Sequence, residues 1–467
     1  MVYQDALGTI FSIAITFIKY MKNAKYLLMA ILAMCVSSAV AQVSFEGNSK
    51  PVYVEGKSSN TGSMAVYVLY SAQGVSMNYT ASTDPDNVSW QEIVINDLGE
   101  RVYNDIDVDH NGNVTSLNPV RADRGYIIKE GESQTTYLWV IDYSKCRLHL
   151  NSAEADQDAS DCGTAILHID GSGPEIKYDG NKTLDREIKI TYNTLEWDSE
   201  NSTWKEQQVT EEERFLKNTI AVPAPYCDTQ FTISGDKFLE FWNEKKSKTT
   251  GTFQTKAINV EIVTTQEERE NDNEQNIQGA GLGGSAPVTI TFKAYCTDAV
   301  SYKEWQVSSF PEFNDLLMNF SQDEVEYTFT DAGTTYWRFY AANSDGSCEY
   351  YSDPIAVNIG ESILMCPNFF SPGTTEGDND IWKVSYKSIV EFHCWIYNRW
   401  GNLIKEFTDP SDGWDGTYRG KLVNTGVYFY VIKAKGSDGK DYKLSGDINI
   451  LRYERRDINS PLDDPGL

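Results

Sequence analysis

The residues best suited to chemistry form an oxygen-rich run in the first quarter of the chain. Its oxygen-bearing side chains alternate in sequence: Asp107, Asp109, Asn111 and Asn113. Such oxygens at alternate positions, with Gly112 at the sharp turn, are typical of a calcium loop, so the run is a candidate calcium site. Its twelfth position is Asn118 instead of a glutamate that binds with both oxygens, which lowers the expected affinity. The favoured interpretation is a polar β-hairpin, because Asn-Gly between two strand-like segments favours a tight turn.

Signatures of catalysis are scarce in this chain. It has four histidines: His110, His149, His168 and His393. It contains no nucleophile elbow, zinc-protease motif or phosphate-binding loop. Carboxylates are plentiful, however, and a glycosidase needs only two that face each other. We therefore expect a non-enzymatic protein with no cofactor other than calcium. The alternative is a secreted glycan-active hydrolase with its site in residues 42–265.

Composition narrows the class of protein. The 467 residues allow three or four domains of ordinary size. Tyrosine (28) and tryptophan (11) are abundant, as expected of strands whose faces are half-buried. The net charge of -28 argues against nucleic acid as a partner, because so acidic a chain is repelled by phosphate backbones. This charge is typical of a soluble protein outside the cell.

The N-terminal region has the layout of a secretory signal. Residues 21–41 begin with a basic segment, continue with an apolar run and end on Ala39-Val40-Ala41. These are the three parts of a signal peptide, and Gln42 would begin the mature chain. Residues 1–20 are then an upstream extension, and which methionine starts the protein stays open. Two alternatives are a membrane anchor near the N-terminus and acylation of Cys35.

Alternating apolar and polar residues predict β-strands along the whole mature chain. We therefore predict an all-β fold of tandem β-sandwich domains with an immunoglobulin-like (Ig-like) pattern, followed by a C-terminal β-sandwich. The predicted units are a β-sandwich-like domain at 42–145, a β-rich domain at 146–265, an acidic and glycine-rich linker or exposed loop at 266–285, an Ig-like domain at 286–360, a terminal domain at 364–453 and a tail at 454–467.

The cysteines of the mature chain are dispersed and form no C-x-x-C pair, so a zinc or redox motif is not expected. There are seven of them: Cys146, Cys162, Cys227, Cys296, Cys348, Cys366 and Cys394. Disulfides are their expected use in an oxidising compartment. Two pairs are preferred: Cys146–Cys162 and Cys296–Cys348. Each lies within one predicted domain or at its edge. A Cys366–Cys394 bond stays open, and the odd count leaves Cys227 over.

Five short motifs follow one another in the terminal ninety or so residues. In order they are Pro367-Asn368-x-Phe370-Ser371-Pro372, Ile396-Tyr397-Asn398-Arg399-Trp400-Gly401, Gly413-Trp414-Asp415-Gly416, Gly426-Val427-Tyr428-x-Tyr430-Val431-Ile432 and the closing Gly446 to Arg452. Strand and turn patterns alternate among them, which predicts a compact all-β unit. The set resembles the gliding-motility-associated C-terminal domain, the type B sorting domain of the type IX secretion system of Bacteroidetes.

The resemblance implies a route of export. The signal peptide would bring the chain to the periplasm. The terminal domain would then direct it through the type IX secretion machinery to the outer surface or the medium, with a PorP-like outer-membrane protein as a partner. The residues of the sorting motif would be Pro367, Asn368, Tyr397, Asn398, Arg399, Trp400, Gly401, Trp414, Asp415, Gly416, Gly426 and Tyr428. We expect Trp400 and Trp414 to pack inside the domain. Any surface ligand stays unknown.

Overall fold

The structure is a computed structural model that describes most of the chain. The described residues are 42–451 apart from 59–61, 83, 133, 276–280 and 374–378. The predicted upstream extension (1–20), signal peptide (21–41) and tail (454–467) lie outside them. No helix in the described part is both long enough and apolar enough to span a bilayer.

The first sandwich is built from ten strands. They are β1 (Val43–Glu46), β2 (Val52–Ser58), β3 (Gly62–Leu69), β4 (Ser76–Thr80), β5 (Val88–Ile95), β6 (Arg101–Ile106), β7 (Asp109–Asn111), β8 (Val114–Leu117), β9 (Arg124–Glu130) and β10 (Gln134–Asp142). One sheet has the order β1-β4-β8-β7, and the other has the order β2-β3-β10-β9-β5-β6. Strands β3 and β10 pair in parallel.

The six-stranded sheet is buried on both faces, which explains its nearly continuous apolar runs. In β3, Val66 packs into the core of the second sandwich, whereas Tyr67 packs against the four-stranded sheet. Successive residues of a strand point to opposite faces, so one strand serves both cores. The predicted units 42–145 and 146–265 are therefore joined by a continuous apolar core.

The second sandwich contains nine strands and one short helix. They are β11 (His149–Asp156), β12 (Thr164–Ser172), β13 (Ile176–Tyr178), β14 (Lys182–Leu184), β15 (Ile188–Asp198), β16 (Thr203–Glu213), β17 (Thr219–Pro223), β18 (Thr232–Gly235), α1 (Lys237–Phe241) and β19 (Lys246–Thr249). Its sheets have the orders β11-β12-β17 and β16-β15-β18-β19, with β13-β14 as a separate pair. Helix α1 begins after Asp236, whose carboxylate accepts a hydrogen bond from the Leu239 N–H at 3.0 Å.

The third sandwich contains nine strands. They are β20 (Val260–Gln266), β21 (Leu282–Gly284), β22 (Val288–Cys296), β23 (Tyr302–Ser308), β24 (Leu316–Phe320), β25 (Glu324–Phe329), β26 (Gly333–Ala342), β27 (Glu349–Tyr351) and β28 (Ile355–Ile359). The sheets are β20-β22-β25 and β21-β28-β26-β23-β24, with β27 beside β26. Strand β20 pairs with β22 along its whole length, so it belongs to the third sandwich. By sequence position, most of this strand lies within the predicted unit 146–265.

The fourth sandwich contains eleven strands. They are β29 (Ile363–Met365), β30 (Phe369–Phe370), β31 (Trp382–Lys383), β32 (Ser385–Lys387), β33 (Ile389–Tyr397), β34 (Leu403–Phe407), β35 (Gly413–Trp414), β36 (Thr417–Tyr418), β37 (Lys421–Leu422), β38 (Gly426–Gly436) and β39 (Asp441–Ile450). The main sheet has the order β30-β39-β38-β33-β34, and three two-stranded pairs, β29-β32, β31-β35 and β36-β37, accompany it. The prediction of tandem all-β sandwiches is confirmed.

The second and third sandwiches are joined by a long hairpin and a disulfide. Strands β15 and β16 extend the second sandwich as a hairpin of eleven residues on each side. Near its tip, the Trp204 indole N–H donates to the Tyr295 carbonyl oxygen at 3.0 Å, and the Trp197 ring centroid lies 5.0 Å from that of Tyr295. Cys162 and Cys348 are bonded across the same joint, with Cα atoms 5.5 Å apart.

Both predicted disulfide pairs, Cys146–Cys162 and Cys296–Cys348, are wrong. Cys146, Cys296, Cys366 and Cys394 are all free thiols, as is Cys227. The bonded cysteines lie in surface turns of two different sandwiches, between β11 and β12 and between β26 and β27. Cys146 instead packs into the apolar core of the second sandwich, and Cys296 packs against the core of the third. The predicted pairs assumed that each disulfide lies within one domain or at its edge. This assumption is wrong because surface turns of two neighbouring sandwiches meet in space.

Burial raises the pKa of every free thiol in the part of the chain that the structure describes. The pKa is raised to about 12 for Cys394, to about 11 for Cys146 and Cys296, and above its usual value for Cys227 and Cys366. The thiolate is the reactive form, so little of it is present at pH 8. We expect the folded protein to react slowly with a thiol reagent such as DTNB and the unfolded protein to react at once. A variant with an exposed cysteine, Ser445→Cys, is the fast-reacting control; equally fast reaction of the native thiols would contradict the expectation.

The third and fourth sandwiches are joined by an arm made of residues 267–275. The Gln275 N–H donates to the Tyr386 carbonyl oxygen at 2.7 Å, and the Tyr386 N–H donates to the Asn273 carbonyl oxygen at 3.1 Å. The Asn273 amide reaches the carbonyl oxygens of Val384 and Pro410, both at 2.8 Å. The described part of the predicted linker or exposed loop at 266–285 is therefore a folded contact, because its polar side chains bind the backbone of the next sandwich.

We expect Asn273→Ala to loosen this joint by about 1–3 kcal/mol, because two partly buried carbonyl oxygens would lose their donor. Limited proteolysis of the arm should then become at least about fivefold faster, since cleavage follows the population of the open form. Asp272→Ala is the matched control. Asp272 is an arm residue whose ion pair with Lys383, at 2.8 Å, is exposed and should contribute little. Equal cleavage of the Asn273→Ala and unsubstituted proteins would show that the arm does not hold the joint.

Candidate functional site

The oxygen-rich run of the first sandwich folds as a β-hairpin. Strands β7 and β8 pair with Asn111 opposite Val114, and Gly112 takes φ +63° in the turn. The four predicted ligands are all exposed: Asp107, Asp109, Asn111 and Asn113. Alternate residues of a strand lie about 6.6 Å apart, so this segment does not wrap around one ion as a calcium loop does. The described residues contain no group of three or more His, Cys, Asp and Glu side chains that could hold a metal.

The most deeply buried charges hold the second sandwich together. Arg186 and Asp236 are both 0% exposed and form an ion pair. Asp236 also accepts a hydrogen bond from the Tyr143 hydroxyl at 3.0 Å, and Arg186 donates to the Pro174 carbonyl oxygen at 2.6 Å. A buried ion pair is tolerated only when its remaining polar atoms are bonded in this way. These groups stabilise the interior and are closed to a substrate.

A groove of about 360 Å³ on the second sandwich includes two carboxylates, those of Glu206 and Asp228. Glu206 accepts a hydrogen bond from the Asn193 amide at 2.9 Å, and Asp228 accepts one from the Thr255 N–H at 2.9 Å. Both residues are exposed. The general acid of a glycosidase is kept protonated by an apolar pocket, and neither carboxylate lies in one.

In the fourth sandwich, most motif residues build turns. The Asn398 side-chain oxygen accepts hydrogen bonds from the N–H groups of Trp400 and Asn402, both at 3.0 Å. Gly401, with φ +82°, completes the turn between β33 and β34. An asparagine at the first position and a glycine in the left-handed region are what such a turn requires.

The second turn motif closes on the chain that enters the domain. Asp415 accepts hydrogen bonds from the backbone N–H and the hydroxyl of Thr417, at 3.0 and 2.8 Å. Gly416 has φ +75°, and a Cβ atom on it would lie 2.7 Å from the Pro372 ring. Glycine is therefore required here both by conformation and by space.

The remaining motif positions fasten the two ends of the domain. The Pro367 carbonyl accepts a hydrogen bond from the Trp382 indole at 2.7 Å, and the Asn368 carbonyl accepts one from the Asn449 N–H at 2.9 Å. Tyr428 donates its hydroxyl proton to the Asn424 carbonyl at 3.2 Å. Gly426, with φ +141°, begins β38.

The two motif tryptophans have opposite environments. Trp414 is 0% exposed and packs against Phe370 and Tyr428, with ring centroids 5.3 and 5.1 Å away, so its prediction as a packing residue is confirmed. Trp400 is 71% exposed, so the same prediction for it is wrong. The Arg399 guanidinium lies 4.3 Å from the centroid of the Trp400 ring. The tip of the β33–β34 hairpin therefore presents an exposed tryptophan–arginine pair.

Two stretches of the chain match models of protein families. Residues 154–250 match a fibronectin type III domain, Fn3_FA, and residues 364–450 match the CHU_C type IX secretion signal domain. A search of curated protein sequences finds no match.

Solved structures with low overall similarity include three N-terminal domains of the highly immunogenic outer capsid protein (Hoc) of bacteriophage RB49. That match has 10% identity and a TM-score of 0.20, over 66% of this chain and 100% of that chain. Another is dimeric latent PorU from Porphyromonas gingivalis, with 9% identity and a TM-score of 0.15, over 68% of this chain and 35% of that chain.

The match at 364–450 falls on the fourth sandwich and covers the five motifs apart from the last residues of the closing one. It confirms the resemblance drawn from those motifs. The match at 154–250 falls within the second sandwich, next to the core that this sandwich shares with the first. This chain thus carries a CHU_C type IX secretion signal domain at residues 364–450, behind sandwiches that include a fibronectin type III domain at residues 154–250.

Proposed function

We propose that this protein is exported by a Bacteroidetes-type bacterium and works at the cell surface or in the medium as a non-enzymatic binding or structural module. The type IX secretion signal domain implies export to the surface or secretion, and this is the observation that carries the proposal. The finer steps belong to the proposal: entry into the periplasm by the signal peptide at 21–41, and passage with a PorP-like outer-membrane partner.

The joints between the sandwiches support a structural or binding role. A shared core joins the first two sandwiches, a disulfide and the Trp197–Trp204 hairpin tip join the second to the third, and the arm at 267–275 joins the third to the fourth. Such joints hold neighbouring domains in fixed relation, which suits a module that presents a surface at a distance. A disulfide also fits the oxidising conditions outside the cytoplasm.

The test removes residues 364–467 and compares the truncated and full-length proteins in a bacterium that has type IX secretion. Periplasm, outer membrane and medium are separated and probed with an antibody against the first sandwich. We expect the full-length protein at the surface or in the medium and the truncated protein in the periplasm. Equal surface delivery of both proteins would refute the proposed route. Melting of the purified truncated protein is the control that its remaining sandwiches are folded.

The alternative, a secreted glycan-active hydrolase, has one observation in its favour. The groove of the second sandwich holds Glu206 and Asp228 within residues 42–265. Full-length protein incubated with a panel of polysaccharides should release no reducing ends if the non-enzymatic proposal is right. Release that is lost in Glu206→Gln or Asp228→Asn, with folding unchanged, would make the hydrolase the better description.

A further inference from the structure

An exposed apolar cluster lies at one end of the main sheet of the secretion signal domain. We call it the hairpin-end patch. Its members are 41–71% exposed: Phe369, Trp400, Leu403, Val427, Phe429 and Leu451. Contiguous apolar residues on the surface of a soluble domain mark a binding site for another molecule more often than isolated ones do.

The strand register brings these residues together. Tyr397 lies opposite Phe429 on one side and opposite Leu403 on the other. Val427, two residues before Phe429 on the same face, lies opposite Asn449, which in turn lies opposite Phe369. Opposite residues on one face have side chains about 5 Å apart, so five strands contribute to one surface.

The opposite face of the same strands shows that this exposure is not a general property of the sheet. In β38, Tyr428, Tyr430 and Ile432 pack into or against the core of the domain, whereas Val427 and Phe429, alternating with them, are exposed. The core is thus complete without the patch, and nothing in the described part of the chain covers it.

The tip of the patch has the chemistry of a binding hot spot. Trp400 has the largest exposed fraction of the six, and the Arg399 guanidinium lies over its ring. Tryptophan and arginine are the residue types that contribute most to protein–protein affinity when they become buried. Asn398 and Gly401 hold the turn, so the pair is presented in a fixed conformation that costs little entropy on binding.

Charge distinguishes the secretion signal domain from the rest of the protein. Residues 364–450 have ten Lys and Arg against eleven Asp and Glu, a net charge of -1, whereas the whole chain has -28. Arg399 lies at the tip, and Arg419 and Lys421 lie in the β36–β37 hairpin that immediately precedes β38. Among the described residues, none of these three cations has an ion-pair partner. Asp447 lies opposite Phe429, so the positive charge of the patch is at its Arg399 end, and this end favours a partner that supplies carboxylates.

We propose that the hairpin-end patch is the docking surface of the secretion signal domain, and that it takes a protein of the export machinery whose apolar pocket is bordered by Asp and Glu side chains. Trp400 enters the pocket, Phe429 and Val427 cover its floor, and Arg399 pairs with the border. This inference rests on the proposed function, since it names the surface through which the secretion signal is read.

The test uses the full-length chain in a bacterium with type IX secretion. The patch variant is Trp400→Ala with Phe429→Thr, and the charge variant is Arg399→Gln with Arg419→Gln. The matched control is Ile363→Thr with Met365→Ala, which changes residues that are 38% and 53% exposed on β29, outside the patch.

We expect the patch variant to reduce the exported amount by at least about tenfold, as the loss of a hot spot does, with the protein accumulating in the periplasm. The charge variant should reduce it less, and the control should be exported normally. Melting curves show whether each variant is folded.

A photo-crosslinking amino acid at position 400 identifies the occupant. A crosslink to an export protein at a site flanked by Asp or Glu, weakened when those carboxylates are changed to amides, supports the proposal. A crosslink into residues 452–467, which follow the patch directly, would overturn it because the chain would then cover itself. Binding of the purified protein to vesicles of anionic lipid that is lost in the patch variant would also overturn it, in favour of a membrane surface.

The outcomes separate this inference from the proposed function. If the chain lacking residues 364–467 stays in the periplasm while the folded patch variant is exported normally, the docking surface is wrong and the export route stands. If the truncated chain also reaches the surface, the export route itself is wrong.

Discussion

Trp414→Ala is expected to lower the free energy of unfolding of the secretion signal domain by about 3–5 kcal/mol, the range for truncating a buried tryptophan. The Trp414 ring is 0% exposed, and its indole N–H donates to the Thr417 carbonyl at 2.9 Å. The substitution leaves a cavity beside Phe370 and Tyr428 and removes the donor for a carbonyl. A domain that is only marginally stable does not survive a loss of this size. We therefore expect export of the variant to fail because its signal domain unfolds.

The measurement is hydrogen exchange of the backbone amides of β38 and β39 in the full-length protein, which localises the loss to this domain. Trp400→Ala is the matched control, since it removes the same side chain from an exposed position of the same domain. In this variant, the free energy of opening measured by hydrogen exchange of β38 and β39 should change by less than about 0.5 kcal/mol, the usual limit for a surface substitution. Native-like protection of β38 in Trp414→Ala would contradict the assignment of Trp414 to the core.

Replacing both Cys162 and Cys348 by serine should be the most destabilising change at the joint of the second and third sandwiches. The bond closes a loop of 186 residues, for which the chain-entropy model gives about 5 kcal/mol. Without it, the joint relies on weaker contacts, among them the contact of the hairpin tip with Tyr295 and the hydrogen bond from the Asn343 amide to the Lys256 carbonyl oxygen at 3.4 Å. A hydrogen bond and an aromatic pair contribute about 1 kcal/mol each, so the two sandwiches should separate and unfold independently.

Urea unfolding followed by tryptophan fluorescence checks this expectation. The second and third sandwiches should unfold at a higher urea concentration in the oxidised protein than in the double serine variant or the reduced protein. Cys227→Ser is the control, because Cys227 is a free thiol and its replacement leaves the bond intact. An unfolding midpoint that is the same with and without the bond would mean that the bond does not stabilise the joint.

The secretion signal could be recognised from sequence because its motifs are local. Asn398 and Gly401 make one turn, and Asp415 and Gly416 make another, through hydrogen bonds and backbone conformations that involve only a few neighbouring residues. Such requirements leave fixed residue types at fixed spacing. They explain why the terminal domain resembles its family in sequence, whereas the sandwiches before it carry no motif that names a ligand.

The hairpin-end patch could not be found in the same way. The run Val427 to Ile432 is almost wholly apolar, which suggests a strand buried on both faces. The rest of β38 gives a partial indication that one face is exposed, since Lys433 and Lys435 lie on the same face as Val427 and Phe429. Which face has a partner depends on the whole sheet and on the strands packed beneath it, and these lie far away in sequence.

The sequence by itself determined the strand-rich class, the hairpin at Asn111-Gly112 and the identity of the terminal domain, because period-two alternation and turn chemistry act over a few residues. Tertiary structure alone decided which cysteines are bonded, that residues 267–275 are a contact and not a linker, and that Trp414 is buried while Trp400 is exposed. Each of these depends on how separate sandwiches meet or on how strands distant in sequence pair. The spacing of residues along the chain does not determine these distances in space. The free energy of burying a side chain depends on which surfaces finally meet. Two tryptophans of the same set of motifs therefore have different environments: Trp414 packs in the core, and Trp400 is exposed.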